Sequence, residues 1–140
     1  MTKLVKRRCP LTLSLRLLPA VVLGVGLFGT SVTATERDMT GFWEFVKSGE
    51  IVEITKCGAK YCGRVAALWP RSAVLRDDQN PDRGRRQQKI CGLHLFRLTG
   101  SQNGRELTGS SYSPEDGLLY ILTVSLDGDL LHLSGMPQTP

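Results

Sequence analysis

The chain has 140 residues, the size of one domain, and its 41% hydrophobic and 22% charged residues exclude collagen-like, coiled-coil and grossly disordered classes. The formal charge of +5 sits wholly at the amino end, where Lys3, Lys6, Arg7, Arg8 and Arg16 occur in residues 1–34 without an acid. The other 13 of the 18 bases balance the 13 acids, so nothing beyond residue 34 draws the chain toward phosphate over long range, and nucleic acid is not an expected partner.

Residues 1–34 read as a secretory signal peptide. Lys3 to Arg8 is the basic start, and Leu17 to Phe28 is an apolar run of 12 residues. Val32-Thr33-Ala34 then presents small residues for cleavage after Ala34. The apolar run is shorter than the roughly 20 residues of a spanning helix. An uncleaved anchor is the competing reading, because no charge falls between Arg16 and Glu36. Arg7-Arg8 fits a twin-arginine signal poorly, and Cys9 precedes the apolar run, so it is not a lipid-anchor cysteine. The expected product is a periplasmic or secreted domain, residues 35–140, with no membrane contact once the signal is gone.

Period-two alternation dominates the chain beyond residue 40. Trp43 and Phe45 share one strand face, and Val52 and Ile54 share another. Tyr61, Val65, Ala67 and Trp69 form the next set. Leu93 to Leu98 and Arg105 to Tyr112 are weaker strands. Leu118, Tyr120, Leu122, Val124 and Leu126 make a strongly apolar face, followed by the hairpin signal Asp127-Gly128 and by Leu131 and Leu133. Gly104 and Ser113-Pro114-Glu115-Asp116-Gly117 mark turns. The expected fold is all-β, an up-and-down antiparallel meander barrel of about seven to eight strands behind a signal helix. Its one long connection, Pro70 to Ile90, is polar and has room for a short helical turn.

Cys57 and Cys62 flank a hairpin, where a disulfide would fasten two strands. Cys91 is then left over, either as a buried thiol acting as a small hydrophobe or as a partner in some other pairing. Asp78, Asn80, Asp82 and Gly84 imitate a calcium loop. However, Arg83 and Lys89 stand where that loop needs glycine and an acid, so a polar turn bonded to its own backbone is expected. Arg83, Arg85, Arg86 and Lys89 form a basic cluster that Asp77, Asp78 and Asp82 neutralise, which reads as a solvated loop. His94 and His132 lie between leucines, hence on the opposite strand face, and no catalytic motif surrounds them. No catalytic residue, metal site or cofactor is expected. Trp43, Phe45, Tyr120 and Leu122 would line a barrel interior. That interior is either packed solid or open to one small apolar ligand.

The order and spacing of several landmarks resemble the bacterial envelope family catalogued as domain of unknown function 2147. They are Gly41-Phe42-Trp43, Val52-Glu53-Ile54, Cys57-Gly58, Cys62-Gly63-Arg64-Val65, Asn80-Pro81-Asp82, Cys91-Gly92-Leu93 and Tyr112 to Gly117, with Tyr120 and Leu133-Ser134-Gly135. The resemblance implies a small exported protein with a lipocalin-like barrel and no established reaction. It also implies a further strand after the glycine matching Gly135, where this chain has Met136-Pro137-Gln138-Thr139-Pro140. Proline cannot serve a central strand, so the barrel is expected to be incomplete there, with an open edge that invites a homodimer. Three functions follow from the sequence: a binding barrel for a small apolar or amphiphilic molecule, an envelope interaction module with a filled core, and, for want of a catalytic constellation, least of all an enzyme.

Overall fold

An antiparallel sheet with one dry face requires side chains to alternate inward and outward along every strand. In the computed structural model, which describes residues 2–7, 38–69, 74–100 and 106–138, eight strands form such a sheet, with the register shifting between Ile51 and Val52 and between Gly63 and Arg64. They are β1 (Thr2–Arg7), β2 (Gly41–Phe45), β3 (Ile51–Cys57), β4 (Lys60–Ala67), β5 (His94–Gly100), β6 (Glu106–Ser113), β7 (Leu118–Asp127) and β8 (Leu130–Pro137). Each pairs antiparallel with the next, and β8 pairs back onto β1, so the meander is a closed barrel. No helix among the described residues is long and apolar enough to cross a membrane.

The all-β meander agrees with the sequence, but the closing strand does not come from where the sequence placed it. β1 is the basic start of the segment read as a signal peptide. Residues 8–37, which hold the apolar run, Cys9 and the cleavage site, lie outside the described residues. The expected open edge beside β8 is covered, because β1 pairs with Leu130–Leu133 on one side and with Phe42–Phe45 on the other. Pro137 is tolerated for a simple reason. It ends β8 opposite Tyr120, beyond the stretch that β1 covers, where no donor is needed toward β1.

Meander topology sorts the connections to two ends of the barrel. The far end carries the β3–β4 and β7–β8 hairpins, and the near end carries the β2–β3 and β6–β7 turns and the long β4–β5 connection. The far half holds the most deeply buried side chains. Leu4, Trp43, Val52, Ile54, Leu98, Val124 and Leu131 are essentially inaccessible there. Met39 plugs this half, and its carbonyl accepts a 2.8 Å hydrogen bond from the Trp43 indole. Outward positions on β7 and β8 are unusually apolar, with Leu119, Ile121 and Met136 exposed.

Core shape depends on one missing side chain. Gly63 faces inward opposite Phe96, and a Cβ there would fall 2.2 Å from the phenyl ring. Gly63→Ala is expected to cost about 1–3 kcal/mol by overpacking. Phe96→Leu should recover part of that loss in the double variant, as urea unfolding would show. Strictly additive losses would mean that the two residues do not share the space.

Candidate functional site

The near end of the barrel is hollow. A cavity of about 510 Å³ opens there. Its walls are Val65, Leu95, Phe96, Leu122 and Leu133, with Phe45 and Tyr120 beside them. Its rim is polar, with Lys47, Ser48 and Glu50 from the β2–β3 turn and Ser113 and Glu115 from the β6–β7 turn. Val74 and Ile90 reach over from the long connection. The four residues expected to line an interior are thus divided. Phe45, Tyr120 and Leu122 border the cavity, whereas Trp43 lies deeper, in the packed half.

The long connection is largely exposed, and its basic cluster faces solvent as the sequence expects, but it is tied down. It folds back on itself through an isolated bridge between Arg76 and Lys89 and a 3.1 Å bond from the Ile90 amide to the Leu75 carbonyl. Its tip is a short 3-10 turn, Arg83–Arg85, capped by Asp82, whose side chain accepts the Gly84 amide. The Asn80 side chain likewise accepts the Asp82 amide, so two of the calcium-loop mimics serve their own backbone. In the basic cluster, Arg85 pairs with Asp82, and Arg86 donates to the Asn80 carbonyl.

Asp77 pins this excursion to the barrel. The sequence reads it as a solvent-facing counter-charge to the arginines, but it is fully buried and bonded to uncharged donors. The Tyr112 hydroxyl donates to one carboxylate oxygen at 2.6 Å. The side-chain amides of Asn80 and Gln88 donate to the other at 2.6 and 2.8 Å. A buried charge is tolerable only when satisfied in this way. Burial pushes the carboxyl up, but the hydrogen bonds from Tyr112, Asn80 and Gln88 outweigh it and hold Asp77 below the ordinary aspartate value. The Tyr112 phenol is pushed up, first by burial and then by Asp77. A backbone contact completes the joint. Gly117, at φ +72°, lets the Gln79 carbonyl approach to where a Cβ would be only 2.0 Å away.

Beside the joint, Tyr120 donates to Asp116, which also accepts the Leu118 amide at 3.0 Å. A second, more open groove of about 880 Å³ runs along the outer wall past Arg85, Lys89, His94 and Leu119. Neither histidine borders the inner cavity. Cys91 is exposed, which corrects the expectation of a buried thiol. The sulfurs of Cys57 and Cys62 stand at disulfide distance, with alpha carbons 5.9 Å apart. They lie diagonally rather than directly opposite, because Cys57 pairs with Lys60 and Cys62 with Thr55. This hairpin is at the far end, so it staples the barrel without touching the cavity. Sequence reasoning missed Asp77, Gln88 and Phe96. One acid among several in a polar loop carries no mark, although Asn80 and Tyr112, its partners, belong to the landmarks.

Those landmarks converge in space, since Asn80, Tyr112 and Gly117 all meet at the Asp77 joint. The chain belongs to the family described as uncharacterized proteins conserved in bacteria, DUF2147, whose model matches residues 41–139. The match therefore spans β2 to β8 and leaves β1 outside it. No curated protein and no solved structure matches the chain.

Tyr112→Phe is expected to destabilise the protein by about 1.5–3 kcal/mol, as a donor to a buried carboxylate is lost. The pH dependence has a definite sign. Because the Asp77 value is depressed on folding, its contribution is present above the ordinary value of 3.8 and lost as pH falls through the lower folded value. The gap between wild type and Tyr112→Phe should therefore close as unfolding curves are taken below that value. A gap that stays constant would place the hydroxyl's role elsewhere.

Proposed function

We propose that this protein is an exported bacterial envelope protein that binds one small amphiphilic molecule in the near mouth of its barrel. The observation that carries the reading is the hollow at the near mouth, set above a deeply buried core. A volume of about 510 Å³ falls within the range of ordinary small-molecule sites. Apolar walls at Phe96, Leu122 and Leu133 suit a hydrocarbon or ring body. The rim of Lys47, Ser48, Glu50, Ser113 and Glu115 suits a polar head. Export is supported by the basic and apolar pattern of residues 1–34 and by a cysteine pair set to form a disulfide. The role is binding rather than catalysis, and no cofactor is invoked.

A second reading rests on a different observation. Leu119, Ile121 and Met136 form an exposed apolar strip on the outer wall, with Ile121 and Met136 directly paired. Such a strip favours an interaction module that works through its surface.

Gly135 separates the two readings. It lines the cavity opposite Leu122, and a Cβ there would meet Tyr120 at an ordinary 3.5 Å, so a larger side chain is accommodated and can project into the mouth. Gly135→Phe is expected to weaken binding of an environment-sensitive apolar dye by about tenfold or more while leaving the far-UV spectrum unchanged. A variant that binds the dye as wild type does would move the site to the outer strip.

A further inference from the structure

β1 occupies a slot with its own chemistry. Leu4 fills a fully dry position between Phe45 and Leu131. The Lys6 ammonium lies 5.5 Å from the centre of the Trp43 ring. Arg7 forms an ion pair with Glu44. Main-chain bonds tie the strand at both ends, from the Val46 amide to the Lys3 carbonyl and from the Lys6 amide to the Asp129 carbonyl, each 3.0 Å. The slot thus reads an extended backbone, one apolar side chain, a cation over an indole and a second cation against a carboxylate.

This strand lies outside the family match, and 30 residues separate it from Asp38. It is also the basic start of a segment that reads as a removable leader. Cleavage after Ala34 would remove it, leaving two unpaired edges and exposing Trp43 and Leu131. Such edges are templates for strand addition.

We propose that the gap between β2 and β8 is a strand-acceptor site for an extended basic polypeptide segment with an apolar residue at the Leu4 position. The full chain fills it with its own residues 2–7. Once they leave, a strand of the same chemistry from another polypeptide takes their place. Emptying of the slot in the cell rests on the export reading, but the acceptor chemistry does not.

The test uses the full-length chain carrying Leu4→Arg, which expels its own strand, and a fluorescent peptide with the sequence of residues 2–7. The peptide is expected to bind this chain one to one, roughly tenfold or more tighter than a control peptide with arginine in place of its leucine. Wild type should resist the peptide, because its own strand competes at high effective concentration. If the variant does not fold alone, the peptide but not the control should restore the near-UV signal of buried Trp43 on refolding. Equal binding of both peptides, or equal failure to rescue, overturns the proposal. So does a variant that self-associates and refuses the peptide, which would assign the slot to copies of this chain. Finding the leader intact in cells would refute cleavage and leave the peptide result unchanged.

Discussion

A sheet curled into a barrel leaves two edges that must meet or be bridged. Here that requirement falls on six residues, Thr2–Arg7, and within them on Leu4. Its burial between Phe45 and Leu131 joins the ends of a seven-strand meander and keeps water from the Trp43 side of the core. The packed far half depends on this closure. So does the hollow near half, because β1 pairs with β8 only as far as Leu133 and leaves Ser134–Pro137 facing the mouth without that strand beside them. One strand thus divides the interior into a core and a cavity.

The mouth has a separate support. A polar excursion of the length between β4 and β5 would move freely if it were merely solvated. Asp77 prevents that by placing its charge where only Tyr112, Asn80 and Gln88 can satisfy it. Removing one donor leaves a buried carboxylate short of a partner, which costs more than the net worth of a surface bond. Val74 and Ile90, on either side of this joint, are thereby held over the cavity. Fixed walls of this kind favour a preformed site over one assembled on binding.

Much of the architecture was legible because strands with one dry face write their period into the chain. Val52 with Ile54, Leu122 with Val124, and Leu131 with Leu133 all point inward as their alternation required. The Asp127-Gly128 hairpin and the Cys57–Cys62 staple are local in sequence and were readable for that reason. What could not be read was long-range. Nothing in Thr2–Arg7 marks it as a strand. It carries three bases, and a basic run before an apolar stretch reads first as a targeting signal. Its partners lie more than 30 and more than 120 residues away, so only the completed sheet reveals the match. Asp77 was hidden differently. An aspartate among arginines reads as a counter-charge, and its real partners are neutral groups brought in from Asn80, Gln88 and the distant Tyr112.

The account turns on whether the hollow half of the barrel holds a molecule. Native mass spectrometry of the protein expressed from its full-length gene, recovered from a bacterial envelope fraction and ionised gently, tests this most directly. The account predicts a monomer carrying one extra small-molecule mass, which collisional activation releases. A bare chain, whether monomer or dimer, in preparations never exposed to detergent or organic solvent would contradict it.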